Sequence, residues 1–374
     1  VGVIGTINYR FGNRIIEAPT TTPQSLEIQK LLAEMIKEGV SHVVMEVSSH
    51  AVDQRRIAGV HFDVGVFTNI TSEHLDYHGT IEEYAKCKAM FFSHSLINSE
   101  SQRPKYAVIN QDDPYADYFA SRTAARIIRY GLGRDVDITV VEEHVSYQGI
   151  AGRLKTPDGD IRFRSTLLGR FNLCNIMAAA GVAYALGIPL ESVRAGIETC
   201  TSVPGRMERV GEEIDYTVIV DYAHTPDALE KVLHSIREFA PERIIAVFGC
   251  GGDRDRLKRP VMGEIAAMLA DVVIVTSDNP RREGPEQIME EIEAGIKRID
   301  MPKMDGSLHE TGTGYMMVVD REEAIRTALS LARKGDVVLV AGKGHEAYQT
   351  AGDRRIPFDD RLKVVKFLQE RSLC

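Results

Sequence analysis

The sequence predicts an α/β protein made of two doubly wound domains, each with a mostly parallel sheet. Its 374 residues exceed one ordinary hydrophobic core, so two domains of roughly 150 to 200 residues are expected. Short apolar runs alternate with segments whose apolar residues recur at helical spacing, which is typical of β-α-β units. The breaker pair Pro204-Gly205 interrupts this alternation, and we place the domain boundary there, giving residues 1–206 and 207–374.

The first half starts with an apolar strand and then alternates helices and strands. Residues 24–37 have helical periodicity, and that helix ends at Gly39. Between residues 135 and 166 the segments become short and alternating around Asp158-Gly159, which predicts a small antiparallel excursion. The other elements expected here are strands at 1–6, 42–47, 63–68 and 106–110, and helices at 81–95, 172–186 and 190–200.

The second half repeats the same rhythm and predicts a second sheet of the same kind. A helix is expected to begin near Pro226, because proline is favoured in the first turn of a helix. The strands expected in this half are residues 216–220, 244–248, 271–276, 315–319 and 337–340.

Composition argues against several classes of function. The net charge of −9 argues against nucleic acid as a partner, which would require a basic surface. The longest apolar stretch, residues 176–188, is shorter than a membrane span and contains Gly181 and Tyr184. The cysteines lack C-x-x-C pairing, which favours a reducing cytoplasm over a disulfide framework or a zinc site. They are Cys87, Cys174, Cys200, Cys250 and Cys374.

The tetrapeptide Asp278-Asn279-Pro280-Arg281 directly follows an apolar strand. Open α/β sheets bind their ligands at the carboxyl ends of the strands, so Arg281 would lie at a binding crevice. A guanidinium there suits a ligand with a carboxylate. The alternative is a surface arginine in a turn.

Two further clusters suggest a divalent cation. Glu46 interrupts a strand that should be apolar, so it either binds a partner or metal or reaches solvent at the strand end. His74 lies in a polar loop, residues 68–78, that holds two histidines and two acids, and such a loop suits a cation. A loop histidine that only forms hydrogen bonds is the alternative.

The remaining clusters are less specific alone. Lys86 and Lys88 lie on the helix after the histidine loop, where a solvated lysine is the ordinary case. Residues 221–226 run from a strand end into a helix. The glycines of residues 342–346 would let the backbone wrap an anion or an amino acid, although Gly-Lys-Gly is also common in ordinary turns.

Seven ordered motifs together resemble the Mur ligases, and the resemblance covers essentially the whole chain. The motifs are residues 46–50, 74–79, 172–179, 204–208, 221–226, 278–281 and 342–346. The pattern is most similar to the branch that adds meso-diaminopimelate. It implies that the γ-phosphate of ATP activates the D-glutamate carboxylate of UDP-N-acetylmuramoyl-L-alanyl-D-glutamate as an acyl phosphate, which the incoming amine displaces. The product is a peptidoglycan tripeptide precursor.

The resemblance also implies roles for individual residues. Glu46, His74 and Lys88, the last as a carbamate, match catalytic Mg²⁺ ligands. Positions that match contacts to the UDP-sugar peptide are Thr21, Thr22, Ser48 and Arg56. Positions that match the surroundings of ATP are Asn175, Arg206 and Asp221, with His224 near the nucleotide.

The amino acid is expected to bind in the second domain. Family members with Asp-Asn-Pro-Arg add meso-diaminopimelate, whose distal carboxylate would pair with Arg281, whereas lysine would present a bare ammonium there. The residues that match this pocket are Arg259, Asp278, Asn279, Arg281, Gly342 and Glu346. Small molecules are the only partners implied, with no nucleic acid and no membrane insertion, and a monomer in the cytoplasm is expected.

One departure from the family concerns the phosphate loop, which precedes the first strand in Mur ligases and is absent here, as is the uridine-binding domain before it. We expect that the chain is part of a longer protein and does not hydrolyse ATP alone. Two alternatives stay open: a folylpolyglutamate or cyanophycin-type ligase, which Asp278 to Arg281 disfavour, and a non-catalytic module that binds the amino acid or sugar peptide.

Overall fold

The computed structural model describes residues 1–71, 74–97, 103–133, 135–211, 214–239, 241–304 and 312–372. The chain forms two compact units. The first contains Val1–Glu143, Ala151–Phe163 and Phe171–Glu198, and the second contains His144–Ile150, Arg164–Arg170 and Thr199–Cys374. The domain boundary at residue 206 stays a prediction. None of the described helices combines the length and apolar character that a bilayer-spanning segment needs.

The strands of residues 1–130 form two sheets. One has the order β3-β2-β1-β4, with β1 parallel to β4 and antiparallel to β2, and the other is the parallel sheet β5-β6-β7. The strands are β1 Gly2–Ile4, β2 Asn8–Phe11, β3 Arg14–Glu17, β4 Val43–Met45, β5 Val64–Phe67, β6 Tyr106–Asn110 and β7 Arg126–Tyr130. The four strands expected in this region are confirmed, while β2, β3 and β7 were not predicted. The Gly12-Asn13 turn between β2 and β3 is a hairpin signal in the sequence.

Helices cover these sheets. They are α1 Ser25–Lys37, α2 Ser49–Asp53, α3 Leu75–His78, α4 Ile81–Met90, α5 Ala116–Ala120, α6 Arg170–Ala185 and α7 Leu190–Thr199. The helix expected at 81–95 is α4 followed by a π-helical turn, Phe91–Ser95, in which Leu96 N donates to Phe91 O at 2.8 Å. The turn packs on β5, where a Cβ at Gly65 would lie 2.7 Å from the Phe91 ring. Glycine there lets the aromatic core close over the sheet.

The antiparallel excursion predicted between residues 135 and 166 is confirmed as a three-stranded sheet of order β10-β9-β8. Its strands are β8 Thr139–Ser146, β9 Gly149–Thr156 and β10 Gly159–Ser165. Two-residue connections join them, and such short loops can link only antiparallel strands. The four described cysteines, Cys87, Cys174, Cys200 and Cys250, form no disulfide with one another, and Cys374 lies outside the described residues.

The second unit contains a six-stranded sheet of order β11-β12-β16-β13-β14-β15, parallel except for β11. Its strands are β11 Glu208–Arg209, β12 Thr217–Asp221, β13 Ile244–Phe248, β14 Val272–Val275, β15 Gly314–Met317 and β16 Val337–Ala341. Its helices are α8 Pro226–Arg237, α9 Lys258–Leu269, α10 Pro285–Ile296, α11 Arg321–Leu331 and α12 Asp360–Ser372. A separate antiparallel hairpin consists of β17 Tyr348–Ala351 and β18 Arg354–Pro357. All five strands predicted here are confirmed.

Both faces of the six-stranded sheet are buried. Val218 and Val220 of β12 belong to one apolar cluster, whereas Ile219 between them belongs to the other. This alternation requires helices on both sides, which confirms the doubly wound architecture. Because β12, β13, β14 and β16 are parallel, the loops after them start from one edge of the sheet. Those loops contain the motifs at residues 221–226, 278–281 and 342–346.

Candidate active site

The loop after β14 is fixed to the β17–β18 hairpin through its backbone. Arg281 has a φ of 50°, its N–H donates to Thr350 O at 3.1 Å, and its carbonyl accepts from Gly352 N at 2.6 Å. A hydrogen bond from Arg281 Nη1 to Gly252 O, 2.7 Å long, orients the guanidinium. Gln349 Nε2 adds hydrogen bonds to Ser277 Oγ at 3.0 Å and Asp278 O at 2.6 Å. The hairpin therefore determines where Arg281 lies.

Three predicted residues of this pocket meet around a residue that was not predicted. Asn279 Nδ2 donates to Glu346 Oε2 at 2.9 Å, and Asn279 Oδ1 accepts from Thr350 N at 2.8 Å. Lys343 Nζ donates to Asn279 Oδ1 at 3.3 Å and Glu346 Oε2 at 3.1 Å, and lies 3.7 Å from Asp278 Oδ1. Lys343 is fully buried. The Gly-Lys-Gly sequence identified the loop but not the buried ammonium.

Asp278 and Gly342 lie close to each other beside Lys343. Asp278 is 5% exposed, its Oδ1 has no hydrogen-bond partner, and burial raises the pKa of its carboxyl. Gly342 has a φ of +117°, and a Cβ there would lie 3.3 Å from Asp278 Oδ2. Glycine is therefore favoured at position 342 by both backbone conformation and close approach.

Arg259 is also fully buried, and its guanidinium is engaged within the protein. Nη1 and Nη2 each donate to Glu283 at 2.8 Å, Nη1 donates to Glu291 at 2.9 Å, and Nη2 donates to Gly251 O at 3.1 Å. The Arg259 hydrogen bonds lower the pKa of Glu283 to about 2. Arg259 thus supports the loops that end at Gly251 and Glu283, and its contact with the amino acid stays a prediction.

The residues matched to ATP in the second unit cluster around Tyr222. Asp221 accepts from Met207 N and Ala223 N, each at 2.7 Å, and burial raises the pKa of its carboxyl. The Arg206 guanidinium lies 5.0 Å from the Tyr222 ring centroid. His224 Nδ1 is 2.8 Å from Tyr222 O, and burial lowers the pKa of that imidazole.

Close packing connects this cluster to the loop after β16. A Cβ at Gly205 would lie 2.2 Å from His345 N, and the Tyr222 and His345 rings are 5.2 Å apart. Asn175, the fourth residue matched to ATP, lies on α6 in the first unit, where Nδ2 donates to Asn172 Oδ1 at 2.9 Å.

The four residues matched to the sugar peptide are close to one another in the first unit. Thr22 Oγ1 donates to Glu46 O at 2.8 Å and accepts from Ser48 N at 3.0 Å. Arg56 Nη1 donates to Thr22 O at 3.1 Å, and Ser48 caps the N-terminus of α2. Thr21 Oγ1 is 3.1 Å from the hydroxyl of Thr6, which in turn donates to Glu46 Oε2 at 2.6 Å. Glu46 is thus part of the same network.

His74 and Lys88 both contact the Tyr84 ring. The His74 ring centroid is 5.9 Å from that of Tyr84 and 5.2 Å from that of His50. Lys88 Nζ lies 4.9 Å from the Tyr84 centroid and its residue is half-buried, whereas Lys86 is exposed beside Glu83. Among the residues that the structure describes, no three His, Cys, Asp or Glu side chains are arranged to hold a metal ion.

The chain matches two protein families along most of its length. Residues 1–183 match the Mur ligase middle domain, and residues 205–344 match the Mur ligase glutamate ligase domain. A UDP-N-acetylmuramoyl-L-alanyl-D-glutamate--2,6-diaminopimelate ligase from Geobacter metallireducens is 50% identical over 375 residues, covering 100% of this chain and 73% of the relative. The ligase of the same name from Geobacillus thermodenitrificans is 46% identical over 371 residues, covering 99% and 73%.

Two solved structures are also similar to this chain. A structure of a ligase with the same name aligns with a TM-score of 0.68 at 36% identity, covering 99% of this chain and 73% of that one. A Thermotoga maritima MurF ligase solved with ADP aligns with a TM-score of 0.58 at 18% identity, covering 87% and 65%, which supports the fold alone.

Proposed function

This chain belongs to the Mur ligase family, and on that premise we propose that it carries the acceptor and amino-acid sites for the ATP-dependent addition of meso-diaminopimelate to UDP-N-acetylmuramoyl-L-alanyl-D-glutamate, a reaction that also requires the phosphate loop of the family. The reaction forms an amide bond in peptidoglycan precursor synthesis. Relatives named for this activity align with essentially the whole chain. We place the reaction in the cytoplasm and keep the monomeric state and the absence of nucleic-acid partners as predictions.

The pocket formed by Arg281, Asn279 and Glu346 carries this proposal. The hairpin and Gly252 hold the Arg281 guanidinium in place, where it can form a bidentate pair with the distal carboxylate of the incoming amino acid. Glu346 supplies a carboxylate for the distal ammonium. Asn279 Nδ2 orients that carboxylate by donating to Glu346 Oε2 at 2.9 Å. An ammonium and a carboxylate on the same distal centre distinguish diaminopimelate from lysine, which has only the ammonium.

Nucleotide binding is assigned to Asn175, Arg206, Asp221 and His224. Buried Asp221 holds the backbone of Met207 and Ala223 rather than reaching outward, so its part is to shape the loops around Tyr222. Arg206 is the cation of this group and would pair with phosphate oxygens. ATP would supply the phosphoryl group that activates the acceptor carboxylate.

Mg²⁺ is assigned to Glu46, His74 and Lys88. Magnesium prefers oxygen ligands, and an ammonium cannot bind it. Carbamylation of the half-buried Lys88 would replace its positive charge with an oxygen donor, so the donor set fits magnesium once that modification is made. Bound there, the ion would neutralise charge as phosphate and carboxylate approach. Thr21, Thr22, Ser48 and Arg56 are assigned to the UDP-sugar peptide, on the network that also holds Glu46.

A calorimetric test uses Arg281→Ala in this chain, titrated with meso-diaminopimelate. Loss of a charge-assisted bidentate contact is worth roughly 1.5 to 3 kcal/mol, so the Kd should rise about ten- to a hundredfold. The wild-type chain should bind meso-diaminopimelate at least about tenfold more tightly than L-lysine or L-glutamate, because only the first matches both charges of the pocket.

The matched control is Arg282→Ala, because Arg282 is the next residue and its exposed guanidinium is 3.8 Å from Asp353. Its Kd should match the wild type. Preference for glutamate would favour a folylpolyglutamate-type ligase, and equal losses in both arginine variants would contradict the pocket assignment.

A further inference from the structure

Lys343 is the most unusual charged group of the amino-acid pocket, and its interpretation depends on the function proposed above. Its side chain has no exposed surface, although a lysine is almost never fully buried unless it is paired. Three polar partners surround its ammonium, at 3.1 Å for Glu346, 3.3 Å for Asn279 and 3.7 Å for Asp278. The Tyr348 ring lies 5.7 Å away on the hairpin.

These partners are the groups expected to recognise the ligand, rather than unrelated core residues. Lys343 and Asn279 Nδ2 both donate to Glu346 Oε2, and Asn279 Oδ1 accepts from Lys343 and from Thr350 N. The ammonium therefore closes a three-membered hydrogen-bonded ring with Asn279 and Glu346. Lys343 donates to the Glu346 carboxylate and to the Asn279 amide, the two groups expected to face the incoming amino acid.

The charges show why the ammonium is needed at this point. The carboxylates of Asp278 and Glu346 both lie within 3.7 Å of the Lys343 ammonium. The neighbouring cation Arg321 is already paired with Asp360 at 2.7 and 2.8 Å. Without Lys343 the two carboxylates would repel each other at low dielectric. The side chain of Glu346 is 20% exposed and has a route toward solvent, whereas the side chain of Asp278 is only 7% exposed.

We propose that Lys343 is a positioning residue that aims Asn279 and Glu346 at the amino-acid substrate. It does not touch the ligand itself. Its ammonium holds the carboxylate that receives the distal ammonium and the amide beside it, so the pocket is organised before the ligand enters. Such preorganisation raises affinity by reducing what must be ordered on binding.

The test is calorimetric titration of Lys343→Met in this chain. Methionine has a similar length and removes the charge and the donors. We expect the Kd for meso-diaminopimelate to rise at least about tenfold, while the Kd for an ATP analogue stays within about twofold. Lys105→Met is the control, because Lys105 is a largely buried lysine of the first unit that donates to Phe62 O at 2.6 Å. It should leave the Kd for meso-diaminopimelate unchanged.

A double-mutant cycle separates positioning from a general structural effect. Because Lys343 acts through Asn279 as well as Glu346, Lys343→Met should weaken binding less in the Asn279→Ala background than in the wild type. Additive losses, or equal losses of amino acid and nucleotide binding in Lys343→Met, would overturn the proposal.

If Lys343→Met does not fold, the pair Lys343→Met with Asp278→Asn removes opposite charges together and is compared with Asp278→Asn. If the double variant binds meso-diaminopimelate as tightly as Asp278→Asn does, the proposal is overturned. If it binds meso-diaminopimelate more weakly but the ATP analogue equally well, the proposal is supported. A wild-type chain that does not prefer meso-diaminopimelate to L-lysine would refute the proposed function instead. Wild-type preference with an unchanged Lys343→Met variant would refute only the role of Lys343.

Discussion

The amino-acid pocket of the second unit and the histidine–lysine region of the first unit are built in different ways. In the pocket, Arg281, Asn279 and Glu346 are each held by hydrogen bonds from the same unit. In the first unit, His74 is exposed with a φ of 58°, and it shares with Lys88 a contact to the Tyr84 ring. The difference teaches that the chain itself organises amino-acid recognition, whereas the proposed metal site needs small molecules to complete it.

The largest expected effect is that of Lys88→Ala, which should abolish carbamylation of the chain. When the chain is equilibrated with ¹³C-bicarbonate and Mg²⁺, we expect one carbamate resonance by NMR that Lys88→Ala removes, because a carbamate there would supply the missing oxygen ligand. Lys86→Ala, on the exposed side of the same helix, should keep that resonance. A carbamate resonance that survives in Lys88→Ala would show that Lys88 is not the carbamylated residue.

The second effect is on stability and concerns the ion pair beneath the amino-acid pocket. Arg321 and Asp360 are both fully buried, and Arg321 Nη2 also donates to Ala341 O at 3.0 Å. Arg321→Met leaves a buried carboxylate without its partner, so the free energy of unfolding in urea should fall by roughly 3 to 5 kcal/mol. The exposed pair of Arg326 with Glu370 provides the control, where Arg326→Met should cost less than about 1 kcal/mol. Similar costs would mean that the pocket is not rigidly supported.

A smaller effect is expected for Gln349→Ala in the hairpin. The variant loses two hydrogen bonds to the loop after β14, each worth about 0.5 to 1.5 kcal/mol, so the Kd for meso-diaminopimelate should rise roughly fivefold to a hundredfold. The exposed Arg354 of the same hairpin is the matched control, and Arg354→Ala should change that Kd less than twofold. An unchanged Kd in Gln349→Ala would show that the hairpin is not needed to hold the loop.

The smallest effect is the pH dependence contributed by His224. Burial lowers its pKa in the folded chain from the ordinary value of 6.5, so the unfolded chain binds the proton more readily. The free energy of unfolding should therefore fall as the pH drops from 6.5 toward the folded pKa. His224→Asn should flatten this part of the curve, and His234→Asn, at an exposed site, should not. A curve unchanged by His224→Asn would argue against a buried neutral imidazole.

The sequence predicted the sheet strands and most helices because apolar periodicity reports burial directly. It missed β3 because three of its four residues are exposed and no alternation marks them. The motif order correctly located the loop containing Asn279 and Arg281, but it could not show that Arg259 faces Glu283 and Glu291. Gln349 lies 72 residues from Ser277, so its contact depends on how the hairpin folds back and leaves no local signal.

Lys343 illustrates the same limit in a recognised motif. The glycine on each side of Lys343 predicted a backbone that could wrap an anion or an amino acid, and only the packing of Asn279 and Glu346 around the ammonium reveals a buried charge. The roles assigned to the individual site residues stay predictions until the variants above are measured.

The π-helical turn after α4 gives the chain a place where its length could change by one residue. A π turn holds one residue more than the α-helical turn it replaces. A deletion within Phe91–Ser95 would restore regular α-helical winding without disturbing Lys88 upstream, but it would turn every later side chain of the helix about its axis. Related proteins one residue shorter here should therefore place a different side chain over Gly65 where Leu96 now packs, 3.1 Å from the position of a Cβ at Gly65.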